Sequence, residues 1–132
     1  MIYFCDITKE ADLYTVYFPD MTTVRTFGDS MEQALEMAKE ALEGNLEVCI
    51  DHGIAIPAPQ YKEGHPIEVS PKLAFAIQLR QARSNRTQKE IAIAAGMSYQ
   101  QYQRLENPHK TNPTLEMLYR LQKVFGVPFL TL

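Results

Sequence analysis

The sequence predicts an α+β protein in two parts, a β-β-β-α-β unit over residues 1–69 followed by an all-helical domain over residues 70–132. Three features carry that reading. Before Gly28 the apolar residues alternate with polar ones, the mark of half-buried strands. Around residues 31–49, and again beyond Pro71, they recur every three or four positions, the mark of amphipathic helices. Charge divides at the same place. Residues 1–69 hold four basic and thirteen acidic side chains, a net −9, and residues 70–132 hold nine basic and three acidic ones, a net +6. Such asymmetry suggests halves with different partners: a cationic half suits a polyanion, and an acidic half would be repelled by one. Two solvated faces of opposite sign are the plainer alternative.

The elements follow in order. Ile2 to Ile7 and Leu13 to Phe18 are rich in aromatic and β-branched residues, and the polar stretch Thr8–Asp12 between them reads as a hairpin loop of about five residues. Tyr14, Val16 and Phe18 share one face by the period-two rule. Pro19-Asp20 ends that strand, and Thr22 to Phe27 is a third. Ser30 with Gln33 three residues on fits a capping box. It opens a helix whose apolar face is Met31, Ala34, Leu35, Ala38, Leu42, Leu46 and Cys49. Gly44 within it costs about 1 kcal/mol relative to alanine and invites a kink or early stop, and Gly53 ends it. Pro57, Pro59, Gly64 and Pro66 mark residues 54–66 as loop, and Ile67-Glu68-Val69 returns as a fourth strand.

From Ser70-Pro71 the pattern is helical. Lys72 to Arg83 makes one helix. Thr87 with Glu90 is a capping box opening a short helix to Ala95, Gly96-Met97-Ser98 is a turn, and Ser98 caps a helix to about Glu106. Thr114 opens a last helix through Leu115, Leu118, Leu121 and Phe125, which Gly126 stops. The middle pair meets the demands of a helix-turn-helix: Ala92 is small where two helices cross, and Gly96 supplies unusual backbone angles. Ile91, Met97, Tyr102 and Leu105 supply the core between the helices.

Composition excludes several classes. The chain has 45% hydrophobic and 22% charged residues, ordinary for a globular protein. No apolar run approaches the roughly 18 residues of a membrane span, and no secretion signal is recognisable. Cys5 and Cys49 read as buried free thiols in a reducing compartment. His52, His65 and His109 are scattered, with no spacing of a metal site. The expectation is a cytoplasmic protein with no membrane contact, no metal and no cofactor.

Through Leu79-Arg80-Gln81-Ala82-Arg83, Thr87-Gln88-Lys89-Glu90-Ile91-Ala92, Gly96-Met97-Ser98 and Arg104-Leu105-Glu106-Asn107, the C-terminal half resembles the Cro/C1-type repressor domain. The resemblance implies that Gln88 holds a DNA phosphate, that Tyr99, Gln100 and Arg104 face base edges, and that Asn107 and Lys110 lie near the DNA backbone. Ser98 and Gln103 belong to the same DNA-binding set. Glutamine suits adenine and arginine suits guanine. The resemblance also implies a structural ion pair between Arg83 and Glu106. Tyr99 has two open roles, reading bases or packing. Tyr102 is bulkier than the family's usual aliphatic residue.

The N-terminal half resembles the HicB antitoxin domain. The resemblance rests on Tyr14-Thr15-Val16-Tyr17-Phe18-Pro19-Asp20, Thr26-Phe27-Gly28-Asp29-Ser30, Glu32-Gln33-Ala34 through Leu42, and Gly53-Ile54-Ala55-Ile56-Pro57. Met21-Thr22-Thr23-Val24 stands where many relatives carry a Pro-Gly turn. The resemblance implies a partial RNase H-like fold without nuclease activity. It also implies an antitoxin that binds and inhibits a small basic HicA-type mRNA-cleaving toxin and represses its own operon at operator DNA. Helix-turn-helix proteins generally bind as dimers, so a homo-oligomer is expected. Phe129, Leu130 and Leu132 form an apolar tail that either closes the dimer or folds back on the last helix.

Two other readings remain. Asp6, Asp20 and Asp29 could hold Mg²⁺ in a nuclease, yet no histidine or lysine stands as an obvious base, and the expectation is no catalytic residue and no enzyme. A stand-alone transcriptional repressor with a ligand-sensing N-terminal domain is the alternative function.

Overall fold

Alternation of bulky and polar residues builds the sheet. In the computed structural model, which describes residues 1–129, β1 spans Ile2–Glu10, β2 Leu13–Tyr17, β3 Arg25–Gly28 and β4 His65–Glu68. Their order is β3-β2-β1-β4, with every neighbouring pair antiparallel. Helix α1, Met31–His52, covers one face. Ala34, Ala38, Leu42 and Leu46, spaced one helical turn apart, are wholly buried, as are Cys5 and Phe18, with Tyr3, Val16 and Ile67 almost so. The small Ala34 lets helix and sheet approach closely at Gly28, where a Cβ would collide with the Ala34 backbone nitrogen. This first unit, Met1–Ser70, is an α+β arrangement of antiparallel strands and one helix.

The structure corrects several boundaries. The expected five-residue loop is a two-residue turn, Ala11-Asp12, because β1 continues to pair through Glu10 with Leu13. Thr15 donates its hydroxyl to Thr8 O at 3.1 Å, and the Lys9 ammonium lies over the Tyr14 ring at 5.6 Å, so polar residues that read as loop are strand pairs. Ala11 takes φ 54°, the positive value that the favoured hairpin turns require. The third strand begins at Arg25 rather than Thr22. Two turns, Met21 N–H to Phe18 O and Val24 N–H to Met21 O, first bury the Met21 and Val24 side chains. The fourth begins at His65 and takes in Pro66, whose missing N–H is tolerated on an edge strand.

Helix α1 is continuous through Gly44 to its left-handed cap Gly53 at φ 64°. Its N-terminus departs from the simple capping box. Ser30 Oγ accepts from Gln33 N–H, but the Gln33 side chain reaches back one residue further, accepting from Asp29 N–H at 2.6 Å. Cys5 and Cys49 are buried free thiols, and burial pushes the Cys5 thiol up to about 11.

The second unit starts at Pro71. It contains α2 Pro71–Arg83, α3 Gln88–Ala95, α4 Tyr99–Leu105 and α5 Leu115–Phe125. Leu79, Ile91, Ala92, Ala95, Tyr102, Leu105 and Leu121 form its core. Helices α3, α4 and α5 each have a side-chain cap: Thr87 accepts from Glu90 N–H, Ser98 from Gln101 N–H and Thr114 from Met117 N–H. The α4 helix ends at Leu105, with Glu106 as its cap. Phe129 folds back, edge-on to Phe75 and Phe125 at 5.7 and 5.9 Å between centroids, with its N–H on Gln122 Oε1. The expectation for Leu130 and Leu132 falls outside the described residues.

Two substitutions test this backbone account. Ala11→Gly removes the Cβ from a left-handed position and should stabilise the protein by about 1 kcal/mol. Gly44 is exposed, and a Cβ placed there would meet no atom within 4 Å. Gly44→Ala should therefore stabilise by a similar amount, about 1 kcal/mol. Urea unfolding measures both; a lowered midpoint for either variant contradicts the geometry at that residue.

Candidate nucleic-acid interface

The second unit's polar network centres on one carboxylate. Glu106 is fully buried at the end of α4. Arg83, from the last turn of α2, meets it with two parallel bonds, Nε to Oε2 at 2.7 Å and Nη2 to Oε1 at 3.0 Å. Such bidentate pairing is the strong form of a charge-assisted hydrogen bond. Arg80 adds a bond to Glu106 O at 3.3 Å, and Gln88 Nε2, from the start of α3, donates to Oε1 at 3.1 Å. Burial alone would raise the Glu106 carboxyl; the bonds from the Arg83 guanidinium and the Gln88 amide outweigh it and hold the group below the usual carboxylate range. Burial, and then the neighbouring Glu106 carboxylate, push the Tyr102 phenol up. Tyr102 is wholly buried beside this pair. One node therefore ties α2, α3 and α4 together.

The turn between α3 and α4 is held separately. Gly96 at φ 66° closes α3, its N–H directed to Ala92 O and Ile93 O. Ser98 and Gln101 form a reciprocal capping box at the start of α4. Arg120 of α5 donates from Nη1 to Gly96 O at 3.1 Å. Gln101 and Arg120 are not among the residues expected from the sequence. Gln101 has a legible signal, standing three residues after Ser98 as Gln33 does after Ser30; Arg120, 24 residues from its acceptor, has none.

The residues singled out for DNA contact divide by environment. Gln100, Gln103, Arg104 and Lys110 are exposed. Among the described residues, the side chains of Gln100, Gln103 and Arg104 make no hydrogen bond or ion pair. Three others are engaged. Ser98 caps α4, Asn107 accepts His109 N–H on Oδ1 at 2.9 Å, and Gln88 bridges Glu106 and Tyr99. Tyr99 leans towards α3, its hydroxyl donating to Gln88 Oε1 at 3.4 Å and its ring under the Lys89 ammonium at 5.6 Å.

In the first unit, Asp6 and Asp20 anchor the loop of residues 54–64. Asp20 Oδ2 accepts the Gln60 and Tyr61 N–H groups, both at 3.0 Å, and Asp6 Oδ1 accepts the Tyr61 hydroxyl at 2.6 Å. The Asp6 bond pushes the Tyr61 phenol up to about 12. Tyr3 donates its hydroxyl to Pro57 O at the other end of the loop. Among the described residues, no three His, Cys, Asp or Glu side chains are grouped to hold a metal ion. Nor is any helix there long and apolar enough to cross a membrane.

The chain is thus an α+β unit followed by a helical unit in which a glycine turn leads into a helix with an exposed polar face. Residues 3–77 match the family of the HicB_like antitoxin of bacterial toxin-antitoxin systems, and residues 77–132 match the helix-turn-helix family. Antitoxin HicB of Escherichia coli (strain K12) is 33% identical over 100 residues, covering 73% of this chain and 72% of that one. Antitoxin HicB 2 of Photorhabdus laumondii subsp. laumondii is 30% identical over 94 residues, covering 70% and 68%. The chain belongs to the HicB-like antitoxin family and carries a C-terminal helix-turn-helix domain, which makes it a regulatory, non-enzymatic kind of protein.

The ion pair carries a pH signature. A carboxyl whose folded pKa is lowered adds stability that is complete above its unfolded value of 4.5 and is lost as pH falls through the folded one. Arg83→Ala, which strands a buried carboxylate, should destabilise the second unit by about 3 kcal/mol at pH 7. The deficit should shrink as the pH is lowered into the acid range and the buried Glu106 takes up a proton, earlier in the variant than in the wild type. Urea titrations at several pH values measure this, and a deficit that does not change with pH would contradict it.

Proposed function

We propose that this chain binds and inhibits a HicA-type mRNA-cleaving toxin through residues 1–69 and represses its own operon by gripping operator DNA through residues 70–132. The observation that carries the proposal is the joining, in one chain, of an antitoxin-family domain to a helix-turn-helix domain of opposite net charge, −9 against +6. An acidic surface competes with RNA for a small basic toxin and speeds its association. A basic domain gains affinity for DNA by releasing counterions.

On this reading the first unit is a partial RNase H-like fold put to binding. Asp6 and Asp20 support that assignment, since both are occupied as loop anchors. In the second unit Gln100, Gln103 and Arg104 are the residues available to base edges, with Gln88 and Lys110 directed to phosphates and Ser98 and Asn107 shaping the two ends of α4. The operator-bound form is a homo-oligomer, with two copies of α4 entering successive major grooves.

The test uses the tagged full-length chain, co-expressed with its neighbouring genes. Recovery of a small basic protein that arrests growth when expressed alone supports the antitoxin reading; recovery of the homo-oligomer alone counts against it. Arg104→Ala should weaken binding to DNA from upstream of the coding sequence by about 10- to 100-fold, the value of one bidentate base contact. The same variant should retain the toxin, and joint loss of both activities would contradict their assignment to separate units.

A further inference from the structure

The side chains at the start of α4 are of two kinds. Gln100, Gln103 and Arg104 extend into solvent without a protein partner among the described residues. Tyr99 is committed to α3 at both ends of its ring system, through its hydroxyl to Gln88 and its ring face to Lys89. Its position as the first residue of the helix is where base contacts are concentrated, yet its hydroxyl is turned back to the protein.

Gln88 explains why that matters. A glutamine amide has a direction, since its oxygen only accepts and its nitrogen only donates. Glu106 Oε1 takes a hydrogen from Nε2 at 3.1 Å, and the Tyr99 hydroxyl gives one to Oε1 of Gln88 at 3.4 Å. The two contacts agree. Reversing the amide would set its oxygen against the buried carboxylate, a repulsive contact, and would take the acceptor away from Tyr99. Glu106 thus chooses the orientation and Tyr99 closes it. One Nε2 hydrogen is left uncommitted, directed by groups that are themselves fixed, and this is what a backbone phosphate oxygen needs.

We infer that Tyr99 is a positioning residue for DNA binding, acting through a Gln88 amide held between its hydroxyl and Glu106, and that base preference is carried by the other exposed side chains of α4. The inference rests on the DNA-binding reading of the second unit. At 3.4 Å the Tyr99 bond is long for a hydroxyl donor, so its loss weakens binding by about 2- to 5-fold, the low end of a net hydrogen bond.

The experiment selects binding sites from a library of randomised DNA duplexes with the full-length wild type, Tyr99→Phe, Gln88→Ala and the double variant, then titrates each protein against the duplex that the wild type enriches. Tyr99→Phe keeps the ring and its place beside Lys89, and urea midpoints matching the wild type show that folding is intact. The expected result has three parts. Tyr99→Phe enriches the same sequence, binds it about 2- to 5-fold more weakly, and makes no further difference once Gln88→Ala is present. A changed base preference, an undiminished effect in the Gln88→Ala background, or unaltered affinity each overturns the inference while leaving DNA binding in place. A wild type that enriches no sequence removes the DNA-binding reading itself, and the inference with it.

Discussion

The second unit depends on keeping a charge where water cannot reach it. Glu106 is fully buried, and an uncompensated carboxylate there would be worth several kcal/mol against folding. Compensation comes from Arg83 through two short bonds, from Gln88 through one, and from the Arg80 guanidinium as an ion pair at 3.8 Å. Those three side chains belong to α2 and α3, while the carboxylate belongs to the cap of α4. A hydrophobic core tolerates small slips between helices, because apolar contacts have no direction. A bidentate ion pair does not. The bidentate pair therefore fixes the end of α4 against α2, and the Gln88 bond ties α3 to the same point, where the Leu79, Ile91 and Leu105 core alone would leave more freedom.

The first unit solves a comparable problem with neutral partners. Its loop from 54 to 64 contains two prolines and has exposed ends, yet it is pinned by the carboxylates of Asp6 in β1 and Asp20 in the turn after β2. Asp20 accepts two consecutive backbone N–H groups that lie outside any strand or helix, so a side chain holds this stretch where no ladder does. Gly64 belongs to the same device. At φ 79° it passes so close to Cys5 that a Cβ there would collide with the Cys5 carbonyl oxygen. Loop and strand are built to touch only if that residue has no side chain.

What can be read from the sequence follows from local spacing. The long apolar stripe of α1, the caps Thr87, Ser98 and Thr114, and the stops at Gly53, Gly96 and Gly126 all act within a turn or two of themselves, so they announce themselves. The hairpin escapes such a reading because Thr8 and Lys9 look like loop by polarity, whereas their partners across the strand, Thr15 and Tyr14, make them ladder residues. The start of β3 escapes it because Met21 and Val24 are buried by turns rather than by alternation. The roles of Asp6, Asp20 and Tyr99 depend on partners 55, 41 and 11 residues away. No periodicity encodes such contacts, and only the folded chain exhibits them.

The edge pairing of the first unit has a mechanical meaning. Strand β4 runs antiparallel to β1, Ile2 stands opposite Glu68, and Val69 N–H bonds Met1 O. A tension applied between residues 1 and 70 would therefore fall first on that single outermost bond, then on the next pair inward, each yielding in turn instead of sharing the load. The sheet would open like a zipper. Whatever force this unit resists when pulled by its ends is set by one hydrogen-bonded pair at a time, however well α1 packs behind it.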